Sequence, residues 1–235
     1  MKQLEKIRIL DGTVLKIIAM VCMVLDHVGD LFFPNLAVFL VLGRIAMPVF
    51  AFCIAEGYSH TSDQKKYLAR LGIFALISEI PFDLAFFGKI GFEHQNIMLT
   101  FFLAVLALML YDRVAKGTEM EEKPDYLMML AGFGFVLLFA VIALLLRTDY
   151  TFFGVLTVFI FYVLRNHKWP FREVAGVLFL SITRTVGYYI FTGLSLIPIL
   201  MYNGKRGKGL KWLFYLFYPG HLLVLYLIRR FLGIG

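Results

Sequence analysis

The chain has 235 residues, 60% of them hydrophobic and only 17% charged, and its mean hydropathy is +0.81. A water-soluble domain of this length needs a more charged exterior, so the composition excludes one and indicates a membrane protein. The net charge of +7 does not indicate a nucleic-acid binder, because the basic residues fall in short clusters between apolar runs rather than along one solvated face.

The chain opens on MKQLEKIRILDGT, a mixed-charge stretch followed by an apolar run with no small-residue cleavage site. Residues 1–12 therefore read as a cytoplasmic leader before a retained first span. Asp11, Gly12 and Thr13 mark its start, since Asp or Thr can accept bonds from first-turn N–H groups. A crossing takes about 20 residues for about 30 Å of hydrocarbon. Apolar runs bounded by polar or turn residues predict spans over 13–33, 36–58, 67–87, 96–112, 126–146, 150–164, 171–187, 190–202 and 212–231. The expected fold class is thus all-α: one polytopic membrane bundle of about nine helices, with no room for a soluble domain and a cytoplasmic loop over 113–125. The uncharged run at 126–146 reads as lipid-exposed or purely structural. Cys22 and Cys53 fall inside apolar runs and read as buried core residues rather than a disulfide or a metal site.

Charge placement orients the bundle in a cell membrane. With the N-terminus inside, 17 of the 23 Lys and Arg residues are cytoplasmic, from Lys2, Lys6, Arg8 and Lys16 through Lys116 and Lys123 to Lys208 and Lys211. Lys89, Arg147, Arg184, Arg229 and Arg230 fall outside. This asymmetry favours an odd number of spans. An eight-span alternative, with 171–202 crossing once, places the basic 205–211 loop outside.

Ionisable residues within spans are costly and so mark candidate function. At about 1.5 Å per residue, Asp26 and His27 lie roughly 10 Å below the outer end of the first span, and Arg44 roughly 12 Å into the second. Glu79 reaches a similar depth in the third, with Asp83 nearer the surface. His94, Gln95 and Asn96 open the fourth span on the same side, and Asp149 and Tyr150 open the sixth. This shared depth predicts a polar chamber in the outer half of the bundle. His27 and Asp30 stand three residues apart and can share a helix face, whereas Asp26 points about 100° away. Glu79 and Asp83 share a face across Pro81. Pro48 and Pro81 release the carbonyls of Arg44 and Ile77, and broken helices are tolerated where they line a cavity or are buried in protein.

Each of these residues has a plainer reading. Arg44 could simply neutralise Asp26 or Glu79, and His27 could be a hydrogen-bonded spacer. Histidine gains and loses a proton near neutral pH, which makes His27 the candidate general base. The carboxylates with His27 could also hold a divalent ion, but no tight ligand motif supports one, and no metal is expected. His60 and His167 read as solvated, and Glu56 as a surface partner of Lys65 and Lys66. His221, after Pro219, is either a second site residue or an interfacial anchor.

The motifs in order are LDHVG, GRIAMPVFAFCIAEG, SEIPFD, HQN and YNGKRG, followed by KWLFYLFYPGHLLVLYLIR. Together they resemble the TraX family of membrane proteins over essentially the whole chain, most loosely over 113–148. Met47 stands where the family pattern leads us to expect Phe. The resemblance links the chain to N-terminal acetylation of a conjugative pilin, and to a wider group of transmembrane acyltransferases. In that group an intramembrane histidine serves acyl transfer from a cytoplasmic coenzyme A thioester to an acceptor on the far side. It thus implies an acyltransferase using acetyl-CoA or another acyl-CoA as donor, with a peptide terminus, sugar or metabolite as acceptor.

Under that implication His27 is the catalytic base, oriented by Asp30 or Asp26, and Arg44 or Asn96 faces the developing oxyanion. Glu79 and Asp83 would hold a cationic acceptor, with Asp149 and Tyr150 beside it. Lys65, Lys66, Lys205 and Arg206 would meet the coenzyme A phosphates, although the inside-positive pattern explains the same charges. The expected partners are the lipid bilayer, the donor, the acceptor and a possible second copy of the chain, with no nucleic acid. The rival expectations are a proton-coupled transporter of a small solute, against which the absence of an internal repeat weighs, and a scaffold without chemistry.

Overall fold

The protein is described by a computed structural model over residues 7–115, 126–183 and 187–233. Lys2, Lys6, Lys116, Lys123 and Arg184, with most of the 113–125 loop, lie outside the described residues. Among the described residues every extended element is helical. In chain order these are α1 (Gly12–Phe32), α2 (Ala37–Gly43), α3 (Ala46–His60), α4 (Gln64–Phe87), α5 (Ile97–Ala115), α6 (Tyr126–Leu145), α7 (Thr151–Val163) and α8 (Phe171–Thr183). A 3₁₀ helix (Gly187–Ser195), α9 (Leu196–Leu200) and α10 (Lys211–Phe231) complete the chain.

Asp11 starts α1 as its sequence predicts. Its carboxylate accepts the backbone N–H groups of Thr13 and Val14, both at 2.9 Å. The same segment does a second task that the sequence did not announce: it is laced to the loop before α10. Leu10 N–H donates to the Met201 carbonyl at 2.9 Å, and Asn203 N–H to the Leu10 carbonyl at 2.8 Å. Gly12 N–H reaches the Lys205 carbonyl at 2.8 Å, and the Thr13 hydroxyl the Lys208 carbonyl at 2.8 Å. The Arg8 guanidinium adds a bond to the Tyr202 carbonyl. Gly207 makes the closeness possible. It has a φ of +74°, and a Cβ there would stand 2.5 Å from the Asp11 carboxylate.

Of the two prolines, Pro48 coincides with a break in its helix and Pro81 does not. Pro48 cannot donate to the Arg44 carbonyl, and the second apolar run breaks at Arg44 and Ile45 into α2 and α3. Pro81 lies inside α4, which continues through it to Phe87. At the other end of α4, the Asp63 carboxylate caps the Lys66 N–H at 2.9 Å. That backbone bond, with the Lys66 ammonium, holds the Asp63 carboxyl below the usual carboxylate range. Its contribution is therefore present above the unfolded value and lost as pH falls through the folded one.

The all-helical membrane architecture stands. Among the described residues, four segments are long and apolar enough to cross a membrane: Ala37–His60 taken through its break, α5, α6 and α10. The helices α1 and α4 have 21 and 24 residues and carry charges within them, among them Lys16, Asp26 and Asp30 in α1 and Arg70, Glu79 and Asp83 in α4. With 13 residues apiece, α7 and α8 extend only about 20 Å. The former is an internal helix instead. Val155, Val158 and Phe161 are fully or almost fully buried, and α3, α5, α6 and α8 pack around it. By contrast, α6 buries the stripe Gly132, Val136, Ala140 and Ala143, its small members letting it approach α5 closely, and exposes Leu137, Leu138, Val141 and Leu144. This is the lipid-facing helix that its uncharged sequence predicts. Cys22 and Cys53 are buried free thiols.

Replacing Asp11 with Ala removes both cap bonds and should cost about 1 kcal/mol. Gly207→Ala meets the Asp11 carboxylate and a left-handed backbone, so it should cost more. Thermal unfolding in detergent should rank wild type above Asp11→Ala, and that above Gly207→Ala.

Candidate functional site

Two of the charges expected at one depth, Asp26 and Arg44, meet through a contact that only glycine permits. The Asp26 side chain lies directly against the Cα of Gly43, where a Cβ would collide with the carboxylate. This brings Asp26 to Arg44, with Oδ1 and Nη2 3.6 Å apart and both side chains 15% exposed. Asp30 and Asp149 stand within electrostatic reach of Asp26. Arg44 closes α2 as its C-cap, so the break set by Pro48 places the guanidinium at the level of Asp26.

His27 is buried, and its partner is neither Asp30 nor Asp26. Its Nδ1 lies 2.8 Å from Nε2 of His221 on α10, with the rings nearly parallel. The other nitrogen of His221, Nδ1, lies 2.9 Å from the Phe217 carbonyl. A carbonyl only accepts, so His221 Nδ1 carries the hydrogen. In the neutral ring, Nε2 is then the acceptor, and His27 must donate from Nδ1. The chain of bonds leaves Nε2 of His27 with its lone pair. Phe86 packs edge-on against His27, and Phe217 stacks on His221, which keeps the pair in an aromatic sleeve. His221 thus joins His27 in the candidate site, rather than standing as an interfacial anchor. Asp30 is exposed at the end of α1.

Several expected substrate ligands are instead occupied by the fold. Asn96 is fully buried and caps α5, its Oδ1 accepting the Met98 N–H at 3.0 Å. Its amide nitrogen donates to Glu79 and to the Ala75 carbonyl, so it is not directed at a reacting group. Asp83, 1% exposed, accepts the Gly91 N–H at 2.8 Å and closes the turn after α4. Asp149 is held through its backbone: its N–H donates to the Gln95 carbonyl, and its carbonyl accepts the Thr100 hydroxyl. Tyr150 takes a left-handed φ of 59° immediately before α7. Tyr218, which sequence reasoning passed over, is buried beside Ile97 and within electrostatic reach of Asp149 and Glu79.

The four basic residues expected to meet a cofactor lie at the start of α4 and in the loop before α10. Lys66 pairs with Asp63 at 3.0 Å, and Lys65 is exposed on the first turn of α4. Lys205 and Arg206 are fixed through their backbones, Lys205 N–H to the Asn203 side chain and both carbonyls toward the start of α1. Glu56 is corrected too. Rather than meeting Lys65 or Lys66, it pairs with Arg172 at 2.6 Å, and Arg172 also holds Glu173 at 3.0 Å. Tyr202 hydrogen-bonds Glu56 and packs on Phe52, over whose ring the Arg172 guanidinium sits 4.6 Å from the centroid. A further buried carboxylate, Asp112, accepts the hydroxyls of Tyr58 and Tyr162. The signal for these clusters was each charge at the edge of an apolar run, but the partners of Asp112 and the Arg172 partner of Glu56 lie 50 to 116 positions away.

The fold and its buried polar pairs define an all-helical membrane protein with a histidine pair inside the bundle. The TraX protein family matches residues 11–229, and the chain belongs to it. A probable fimbrial assembly protein FimC, serogroup H1, from Dichelobacter nodosus is 28% identical over 93% of this chain and 95% of its own length. An uncharacterised protein of Rickettsia prowazekii (strain Madrid E) is 34% identical over 38% of this chain and 33% of its own. No solved structure matches. These matches overturn the expected acetyl-CoA-dependent acyltransferase: the functional name among them is fimbrial assembly, and none of them names acyl transfer.

Arg172→Ala strands two carboxylates, one of them 5% exposed, and should cost about 3–5 kcal/mol. Denaturant unfolding of the purified protein measures this. Gly43→Ala should force Asp26 away from Arg44. A double-mutant cycle on that pair should lose most of its coupling in the Gly43→Ala background.

Proposed function

We propose that this chain is a multi-pass cell-membrane protein that serves fimbrial assembly, with its histidine pair as the point that engages a fimbrial subunit. The observation that carries this reading is the bond chain from Phe217 through His221 to His27, which leaves His27 Nε2 as an acceptor. Asp26, next to His27 on α1, lies within electrostatic reach of Asp30 and Asp149 and adds acceptors to the same region. Such a set suits a hydrogen-bond donor of positive character on the client, an amine or a guanidinium. The name of the Dichelobacter nodosus relative supports the assembly role.

In this reading the N-terminus is cytoplasmic and the histidine pair lies in the outer half of the membrane. The basic residues around α1, α4 and the 205–211 loop support that orientation. So do the contacts of α10, which runs parallel to α4, with Phe74 near Tyr215 and Ala85 near Arg229. The short helices α7, α8 and α9 then complete the bundle without each spanning it alone.

The test is made in the protein's own host, with the gene deleted and restored as wild type, His27→Ala or His221→Ala. Surface fimbriae are counted by electron microscopy, and membrane abundance of the protein is matched by immunoblot. Deletion and both variants should sharply reduce fimbriation while the protein persists in the membrane. Normal fimbriation after deletion sinks the assembly role. Normal fimbriation in both variants removes the histidine pair from it.

A further inference from the structure

Beyond the histidine pair, the geometry points to a binding site for the headgroup of an anionic phospholipid at Arg147, on the membrane face where α6 ends. A shallow pocket of about 330 Å³ opens there, lined by Phe92, Gln95, Leu145, Leu146 and Arg147. That volume is at the small end for small-molecule sites, enough for a headgroup but not for acyl chains.

The chains have a place of their own. On α6 an apolar stripe (Leu137, Leu138, Val141, Leu144 and Leu145, each 44–74% exposed) leads directly to the pocket. A lipid lying along it reaches the interface at Arg147. Phe92, 89% exposed, is the aromatic partner expected at headgroup level.

The guanidinium is available and its backbone is fixed. Arg147 has no carboxylate within 4.0 Å among the described residues. Its φ of 54° turns the chain sharply at the end of α6. Its N–H donates to the Leu144 carbonyl at 3.0 Å, and its carbonyl accepts the Gln95 N–H at 3.2 Å. The segment after it stays locked, with Asp149 N–H on the Gln95 carbonyl at 2.8 Å. Arginine on such a turn presents a planar donor set suited to a phosphate.

One objection is that an anion beside a helix C-terminus meets free carbonyls, which repel it. Here three of the last four carbonyls of α6 are taken. Leu146 N–H covers Ile142 at 2.9 Å, Thr148 N–H covers Ala143 at 3.0 Å, and Arg147 N–H covers Leu144. The pocket therefore offers one unpaired cation, an amide and three apolar side chains, and so fits a phosphate with hydrocarbon attached.

The experiment uses full-length protein carrying Phe92→p-benzoylphenylalanine in nanodiscs of phosphatidylglycerol or of phosphatidylcholine with identical acyl chains. After irradiation, lipid adducts at position 92 are quantified by mass spectrometry. Phosphatidylglycerol should give the higher yield. Arg147→Gln should lower it about fivefold, the share of one basic residue at an anionic surface. Arg147→Lys, which keeps the charge but not the planar donor set, should recover part of the yield, and this separates lost binding from lost folding. Lys89→Gln removes an exposed cation already paired with Glu93 at 3.2 Å and should change little. Equal yields from the two lipids overturn the site. So does a loss in Lys89→Gln as large as in Arg147→Gln, because diffuse surface charge then accounts for the binding.

Discussion

His27 on α1 and His221 on α10 stand 194 positions apart in sequence and 2.8 Å apart in space. Much else in the bundle depends on keeping those two helices in register. They are tied at three levels. The Thr13 hydroxyl bonds the Lys208 carbonyl, the Lys16 ammonium sits 5.0 Å from the Phe214 ring centre, and the imidazoles meet further along. Because both helices start from the same laced segment, 10–13 against 201–208, the two histidines arrive at one depth. The strap thus acts on the site from its far end, through two rigid helices rather than through contact.

A bilayer interior supplies no water to satisfy a polar side chain, so each one must find its partner in protein. The bundle answers this in distinct places. Asp26 meets Arg44 across the bare Cα of Gly43. Glu79 meets Asn96, which also caps α5. Asp112 meets two tyrosine hydroxyls, and Glu56 shares Arg172 with Glu173. These last two clusters, far from the histidines in sequence and in partners, explain charges at the edges of apolar runs without recourse to a ligand. The histidine pair differs from them because its chain of bonds ends on an unused lone pair rather than closing on itself.

Motif recognition and geometry carried different amounts of weight here. The LDHVG, SEIPFD and YNGKRG segments resembled one family, and that family matches nearly the whole chain. The chemistry borrowed with the resemblance did not survive comparison, and the site shows why transfer of roles was hazardous. Asn96, Asp83 and the Lys205–Arg206 pair sit within the matching motifs, yet their observed partners are structural. A motif residue can be retained for the turn it closes as readily as for the group it would bind.

Sequence by itself determined the membrane class, the Asp11 start of α1, the break before Pro48 and the lipid-facing character of α6. Each follows from local rules: composition, a capping side chain, a missing N–H and an uninterrupted apolar run. It also brought Asp26 and Arg44 to one depth by counting residues along helices. Only the tertiary structure decided that His27 pairs with His221 rather than Asp30, that Glu56 belongs to Arg172, and that α7 is an internal helix. Helical periodicity fixes which residues share a face, but a partner on another helix is chosen by packing between distant segments. Gly43 is the plainest case, because its value lies entirely in the Asp26 side chain that its missing Cβ admits.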